Sequence, residues 1–213
     1  DGVGMPLFYA RSKDVYGIGD MDSLHVAIRL AIRLRQRVIQ VLPLIISSCN
    51  NSPYSVLSSR LKEPLYIGIK SLLKLIPCPA AENYLSLQET QDKASRANSA
   101  RDVDYDLARE IKYPVYRMVY EEFQGYDNSH PLKQDMRTYI ESNKDWIFDH
   151  ILYMILKQKY CAEIPNGWDW RKWPQGLRER KHDDLAAALE EHAEEISYQL
   201  FLQWIVDGTQ WKN

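Results

Sequence analysis

Arg37-Val38-Ile39-Gln40-Val41-Leu42-Pro43-Leu44 is a short β-branched run that directly follows a helical pattern. Upstream, Asp20 or Asp22 is placed to cap a helix over 23–36, with Leu24, Ala27, Ile28, Ala31, Ile32 and Leu34 on one side and Arg29, Arg33 and Arg35 on the other. A helix leading straight into such a run is an α/β alternation. Val38, Ile39, Val41 and Leu42 suit a strand over 37–44 buried on both faces, as in a parallel sheet. Loops at the C-terminal ends of parallel strands commonly carry ligand contacts. The loop after Leu44 contains Ser52-Pro53-Tyr54-Ser55 and then Glu63-Pro64-Leu65-Tyr66-Ile67, so a rigid Pro-Tyr unit stands where a ligand is met.

Beyond Ile69 the alternation stops. Pro77-Cys78-Pro79 breaks the chain, and 89–101 is polar enough to be expected as an exposed stretch. From Asp104 the pattern is helical, with a segment over 113–123 whose Pro114 suits a first turn and a longer helix over about 132–160. Trp146, Ile147, Ile151, Leu152, Ile155 and Leu156 recur at helical spacing and are assigned to the core, as are Tyr113, Tyr116 and Tyr120. A loop-like segment, 161–180, holds Trp168, Trp170 and Trp173. A last helix, capped near Asp183, carries Leu185, Ala188, Leu189, Ala193, Ile196, Leu200, Trp204 and Ile205.

The formal net charge is −2, which leaves no basic footprint for nucleic acid or acidic lipid, so neither is expected as a partner. Apolar runs such as 41–46 fall far short of the roughly 20 residues that cross a bilayer, and a cytoplasmic location without membrane association is expected. Cys49, Cys78 and Cys161 are odd in number and widely spaced, which favours free thiols over disulfides or a zinc site. No phosphate-cradling glycine loop is present, since Gly17-Ile18-Gly19 lacks a third glycine. No metal and no cofactor are expected.

Gly17-Ile18-Gly19-Asp20, Ser52-Pro53-Tyr54 and Pro64-Leu65-Tyr66 together resemble the amylomaltase family of 4-α-glucanotransferases. Trp170-Arg171-Lys172-Trp173-Pro174, with Leu177-Arg178 and Arg180 after it, resembles a stretch from the middle of that pattern. Phe201-Leu202-Gln203-Trp204 and Gln210-Trp211 resemble the family's next stretch. The chain departs from the family pattern at Ile45, Ile46 and Ser47, where polar residues including an Asp are usual, and at Glu63, where Asn is usual.

The resemblance implies an α/β fold: the start of a (β/α)8 TIM-type barrel over 1–76, a mainly helical inserted subdomain over 77–180, and a helix over 181–213 returning to the barrel. Such a barrel takes about 250 residues alone. The 213 residues from Asp1 to Asn213 are therefore expected to be a truncated, N-terminal portion. The implied activity is transfer of α-1,4-glucan segments between maltooligosaccharides with retention, by a carboxylate pair about 5 Å apart. The family carries that pair on later strands, so no catalytic residue is assigned in this chain.

What the chain offers is substrate binding, by Tyr54 through its ring face and hydroxyl and by Ser52 through a hydrogen bond. Against this stands the plainer reading that Tyr54 packs the loop down. Asp14, Asp20, Glu63 and the Asp102, Asp104, Asp106 cluster are assigned to caps, loop charge and a solvated helix start rather than to catalysis. Trp168, Trp170 and Trp173 are assigned to packing rather than to a sugar platform. His182-Asp183-Asp184 marks a helix start rather than a metal or relay site; Asp149-His150 is set aside on the same grounds, and Ser142 lacks triad partners. A non-catalytic α-glucan-binding or assembly module on the same scaffold is the alternative.

Overall fold

A computed structural model describes residues 1–12, 15–48 and 51–212; Asp14 and Cys49 lie outside the described residues. By residue contacts the chain divides into two units, residues 1–134 with 202–213 and residues 135–201.

In the first unit, strand β1 (Gly2–Met5) pairs in parallel with β2 (Val38–Val41), in register from Gly2 opposite Val38 to Met5 opposite Val41. Nothing in the sequence suggested β1, because glycine is a poor strand former. In this position it serves close approach: a Cβ on Gly2 would lie 3.0 Å from the Val38 carbonyl oxygen.

The expected burial of the 37–44 strand on both faces is not observed. Val38 is exposed, and Ile39 and Val41 are only half-buried. Among the described residues the sheet has two strands, so no second neighbour flanks β2 and its apolar side chains have little to pack against. The same shortage affects helix α1 (Met21–Arg33), where Leu24 and Ala31 are buried while Ile28 and Ile32, and Leu34 just past its end, are exposed. Of the two candidate caps it is Asp20 that acts, accepting from the Ser23 amide at 3.2 Å while the Ser23 hydroxyl faces the Asp20 amide at 3.3 Å.

Asp22 caps elsewhere. Its carboxylate accepts from the Lys70 and Ser71 amides at the first turn of α2 (Ile69–Leu75). The Gly17-to-Asp20 motif is a packing knot. Gly17 has φ +84°, and its amide donates to Asn98 Oδ1 at 2.9 Å while Asn98 Nδ2 donates to the Val15 carbonyl at 2.7 Å.

The polar stretch 89–101 is mostly helix rather than exposed coil. After α3 (Pro79–Ser86), α4 spans Gln88–Ser99 and buries Thr90, Ala94 and Ala97, the two alanines against Leu107 and Ile111. Its buried stripe is made of small residues, which carry little hydrophobic signal. A Glu89–Lys93 ion pair one turn apart laces the outer face.

Pro114 does not open a helix. Helix α5 runs unbroken over Tyr105–Gln124, capped by Asp104, whose Oδ1 accepts from the Leu107 amide at 2.9 Å, with Pro114 in its interior. Proline lacks the amide that would bond the Glu110 carbonyl four residues earlier. That carbonyl accepts instead from the Tyr84 hydroxyl of α3 at 3.2 Å, which relieves the cost. Tyr116 and Tyr120 are core residues as expected, and Tyr113 is partly exposed.

The single helix expected over 132–160 is two, α6 (Pro131–Asn143) and α7 (Ile147–Glu163). At the break the Trp146 amide donates to the Asn143 carbonyl at 3.1 Å, and Asn143 Nδ2 donates to the Tyr139 carbonyl at 2.8 Å, a side-chain bond to the backbone that competes with helix continuation. In the second unit Trp173 is the packing anchor. It lies between the Tyr153 and Tyr160 rings, at 5.4 and 5.3 Å, and donates its indole N–H to the Gly167 carbonyl at 2.7 Å.

Trp168 and Trp170, assigned to packing, are exposed. They lie in the turn that Trp173 closes, and one anchor suffices to hold it. A short α8 (Gln175–Arg178) precedes α9 (His182–Glu191), whose first turn holds Asp183 and Asp184 as expected of a helix start. The expected last helix is thus split at His192 into α9 and α10 (Ala193–Gln203), which continues as a wider π-type turn over Trp204–Trp211.

Candidate functional site

Past β2 the chain folds back on itself. Bridges between Ile45 and Lys62 and between Ser47 and Val56 make residues 45–62 an antiparallel excursion beyond the C-terminal end of that strand. Its root is held by the Ile46 amide on the Leu61 carbonyl and the Glu63 amide on the Leu44 carbonyl, both 2.9 Å, and its tip by the Ser48 amide on the Ser55 carbonyl at 2.8 Å.

The segment that carries this loop is held by four side chains. Gln203 clamps Lys62, its Oε1 accepting the amide at 2.8 Å and its Nε2 donating to the carbonyl at 2.9 Å. Gln210 does the same to Gly68 at 2.8 and 2.9 Å. The two glutamines stand seven residues apart, one at the end of α10 and one in the π-type turn that continues it, so one helical element reads two stretches of backbone as a neighbouring strand would. Between the clamps, Lys112 Nζ donates to the Leu65 carbonyl at 2.8 Å and to Asp20 Oδ2 at 2.9 Å, and the Tyr116 hydroxyl donates to the Ile67 carbonyl at 3.3 Å.

Lys112 is fully buried and Asp20 almost so. Burial pushes the Asp20 carboxyl above its ordinary range, and the Lys112 ammonium pulls it back.

Glu63 caps the tight turn Pro64–Tyr66, its Oε1 accepting from the Leu65 amide at 3.3 Å. Burial pushes its carboxyl upward; the Leu65 amide, the Arg109 guanidinium and the Ser47 amide oppose that. Glu63 is therefore a cap as well as the loop charge expected. Desolvation also pushes the buried Tyr66 hydroxyl well above the ordinary tyrosine range, so that ring stays neutral.

Ser52 and Tyr54 come together at the tip. Tyr54 is 74 % exposed, and its amide donates to Ser52 Oγ at 3.3 Å. The ring is not packing the loop down. An exposed aromatic face beside serine hydroxyls, on a loop whose root is immobilised, can stack on an apolar sugar face and hydrogen-bond its hydroxyls. Lys112, Gln203 and Gln210 carry no chemistry of their own at this site; their work is to hold the backbone beneath it. In the sequence the glutamines stand out only within the stretches that resemble the family, since an amide clamping a backbone has no periodic signature.

A sequence model of the family described as 4-alpha-glucanotransferase, glycoside hydrolase 77, matches residues 5–213. The chain belongs to the 4-alpha-glucanotransferase family. A 4-alpha-glucanotransferase of Clostridium butyricum is 28% identical over 199 residues, 93% of this chain and 37% of that protein. That of Thermus thermophilus is 29% identical over 168 residues, 78% of this chain and 29% of that protein. The chain thus spans about a third of these 4-alpha-glucanotransferases, corresponding to their N-terminal portion. Among solved structures, an amylomaltase from Streptococcus agalactiae in complex with acarbose superposes with a TM-score of 0.74 at 21% identity, over 99% of this chain and 39% of that one. At that identity the likeness establishes a shared fold, which in this chain is mostly helical with a small parallel sheet.

Among the described residues no helix is long and apolar enough to cross a membrane, and no group of His, Cys, Asp and Glu is placed to hold a metal ion. Cys78 is a buried and Cys161 an exposed free thiol.

Proposed function

We propose that this chain is the substrate-binding opening part of a 4-α-glucanotransferase, moving α-1,4-glucan segments between maltooligosaccharides in the cytoplasm. Residues 1–76 form the first β/α units of a (β/α)8 barrel, 77–180 a helical insertion, and 181–213 the return. The observation that carries the reading is the exposed Tyr54 on a clamped loop beyond a parallel strand, in a chain of this family. Acarbose bound by the Streptococcus amylomaltase supports an α-glucan as the ligand class.

In a retaining transfer a carboxylate takes the glycosyl unit covalently. A carboxylic acid about 5 Å away protonates the leaving oxygen and later takes the proton of the incoming hydroxyl. We assign neither group within these 213 residues. The acids nearest the loop and its supports have other duties: Asp20 and Asp104 cap helices, Asp106 pairs with Arg109, and Glu63 caps a turn. The chain by itself is therefore expected to convert no maltotriose to longer and shorter products. Disproportionation by the pure chain, read by chromatography, contradicts this.

In the longer enzyme, Tyr54→Ala is expected to lower kcat/KM for maltooligosaccharides roughly tenfold, the size of one lost stacking contact of about 1.5 kcal/mol. Because the ring lies outside the core, the stability change should stay within about 0.5 kcal/mol. A variant that melts several degrees lower with kcat/KM unchanged assigns Tyr54 to packing instead.

A further inference from the structure

Asn51 has φ +53°, in the left-handed region that asparagine tolerates better than most residues, and it turns the chain into Ser52-Pro53-Tyr54. Its side-chain oxygen is held by Arg109, whose guanidinium donates through Nη2 to Asn51 Oδ1 and through Nη1 to Asp106 Oδ1 at 2.9 Å. Arg109 lies on α5, the longest helix and part of the core, and its guanidinium carbon stands 6.0 Å from the Tyr105 ring centre. Asn51, Pro53, Glu63, Tyr66, Tyr105 and Arg109 converge around one small gap under the loop. One rigid fork therefore ties the core helix to the only described residue of the loop with a left-handed backbone, immediately before the proposed sugar-binding pair.

We propose that Arg109 is the positioning residue of the Ser52–Tyr54 tip, fixing the Asn51 turn so that the tyrosine ring is presented in one orientation to a glucan. The proposal rests on the glucan reading only for the identity of the ligand. Arg109 itself touches no sugar. A partly exposed pair of this kind adds about 0–1 kcal/mol to global stability, so a merely structural role predicts almost no effect of its loss. A positioning role predicts a local one.

The test uses the 213-residue chain. Amide hydrogen exchange at Ser52–Val56 and binding of maltoheptaose by titration calorimetry are measured for the wild type, Arg109→Ala, Arg109→Lys and Asn51→Ala. Arg109→Ala is expected to speed exchange at those amides, and to weaken maltoheptaose, about tenfold each, as for one lost charge-assisted hydrogen bond, while exchange in α5 stays unchanged. Asn51→Ala, which leaves the Arg109–Asp106 pair in place, should reproduce both effects. Arg109→Lys should fall between, because an ammonium cannot serve both partners with the planar fork.

Unchanged exchange at Ser52–Val56 in both alanine variants overturns the positioning role, whether or not glucan binds. Weakened binding with unchanged exchange also overturns it, since Arg109 would then act on the sugar directly. Faster exchange in a chain whose wild type ignores maltoheptaose upholds the positioning role and refutes the glucan reading alone.

Discussion

Replacing Lys112 with methionine is expected to cost the fold about 3–5 kcal/mol, because it leaves the buried Asp20 carboxylate without its counter-charge. The Leu65 carbonyl loses its donor in the same step. Against a typical total stability of about 5–15 kcal/mol, that is enough to bring the chain close to unfolding at room temperature. The cost arises from the stranded charge rather than from the lost bond, so removing the other charge should recover much of it. Asp20→Asn is the suitable partner, since asparagine also caps helices and can still accept from the Ser23 amide. The double variant is therefore expected to be more stable than Lys112→Met alone, as measured by urea midpoints. A single variant within about 1 kcal/mol of the wild type would falsify the account, because a stranded buried charge costs more than that.

Gln210→Leu carries the second large effect. It leaves the buried Gly68 amide without its partner, while the Gly68 carbonyl keeps the Leu72 amide at 3.0 Å, so roughly 1–3 kcal/mol is expected. Gln203→Leu breaks the matching clamp on Lys62, a residue half-open to solvent, where water replaces the lost partner. Its effect should be the smaller of the two. If Gln203→Leu proves the more damaging, solvent access does not set the cost.

The sequence made some of this visible and hid the rest for identifiable reasons. The α1-to-β2 alternation, the cap at Asp20 or Asp22 and the Tyr54 loop follow from periodicity and from turn chemistry, which act over a few residues. The α4 helix was missed because Thr90, Ala94 and Ala97 bury little area each, and polarity of the outer face outweighed them. Pro114 misled because its cost is met by Tyr84, 30 positions away and invisible to any local window. The open face of β2 was misjudged for a different reason: β-branched composition tells that a strand prefers cover, not whether these residues supply it. At the candidate site the exposed aromatic was legible. The hands that hold its loop, Lys112, Gln203, Gln210 and Arg109, were not, because each acts on partners far along the chain.

The two glutamine clamps join positions 141 and 142 residues apart. Closing so long a span costs entropy that local contacts do not repay, so such links form late. On a ribosome, which adds residues in order, Gly68 emerges long before Gln210 exists to grip it. Helices α3, α4 and α5 can gather early from neighbouring residues, while the ground beneath Tyr54 waits for partners 141 and 142 residues further along the chain. The loop proposed to meet the sugar is therefore set in time as well as in space: its footing closes only after the helices that lie between Gly68 and Gln203 in the chain have been made.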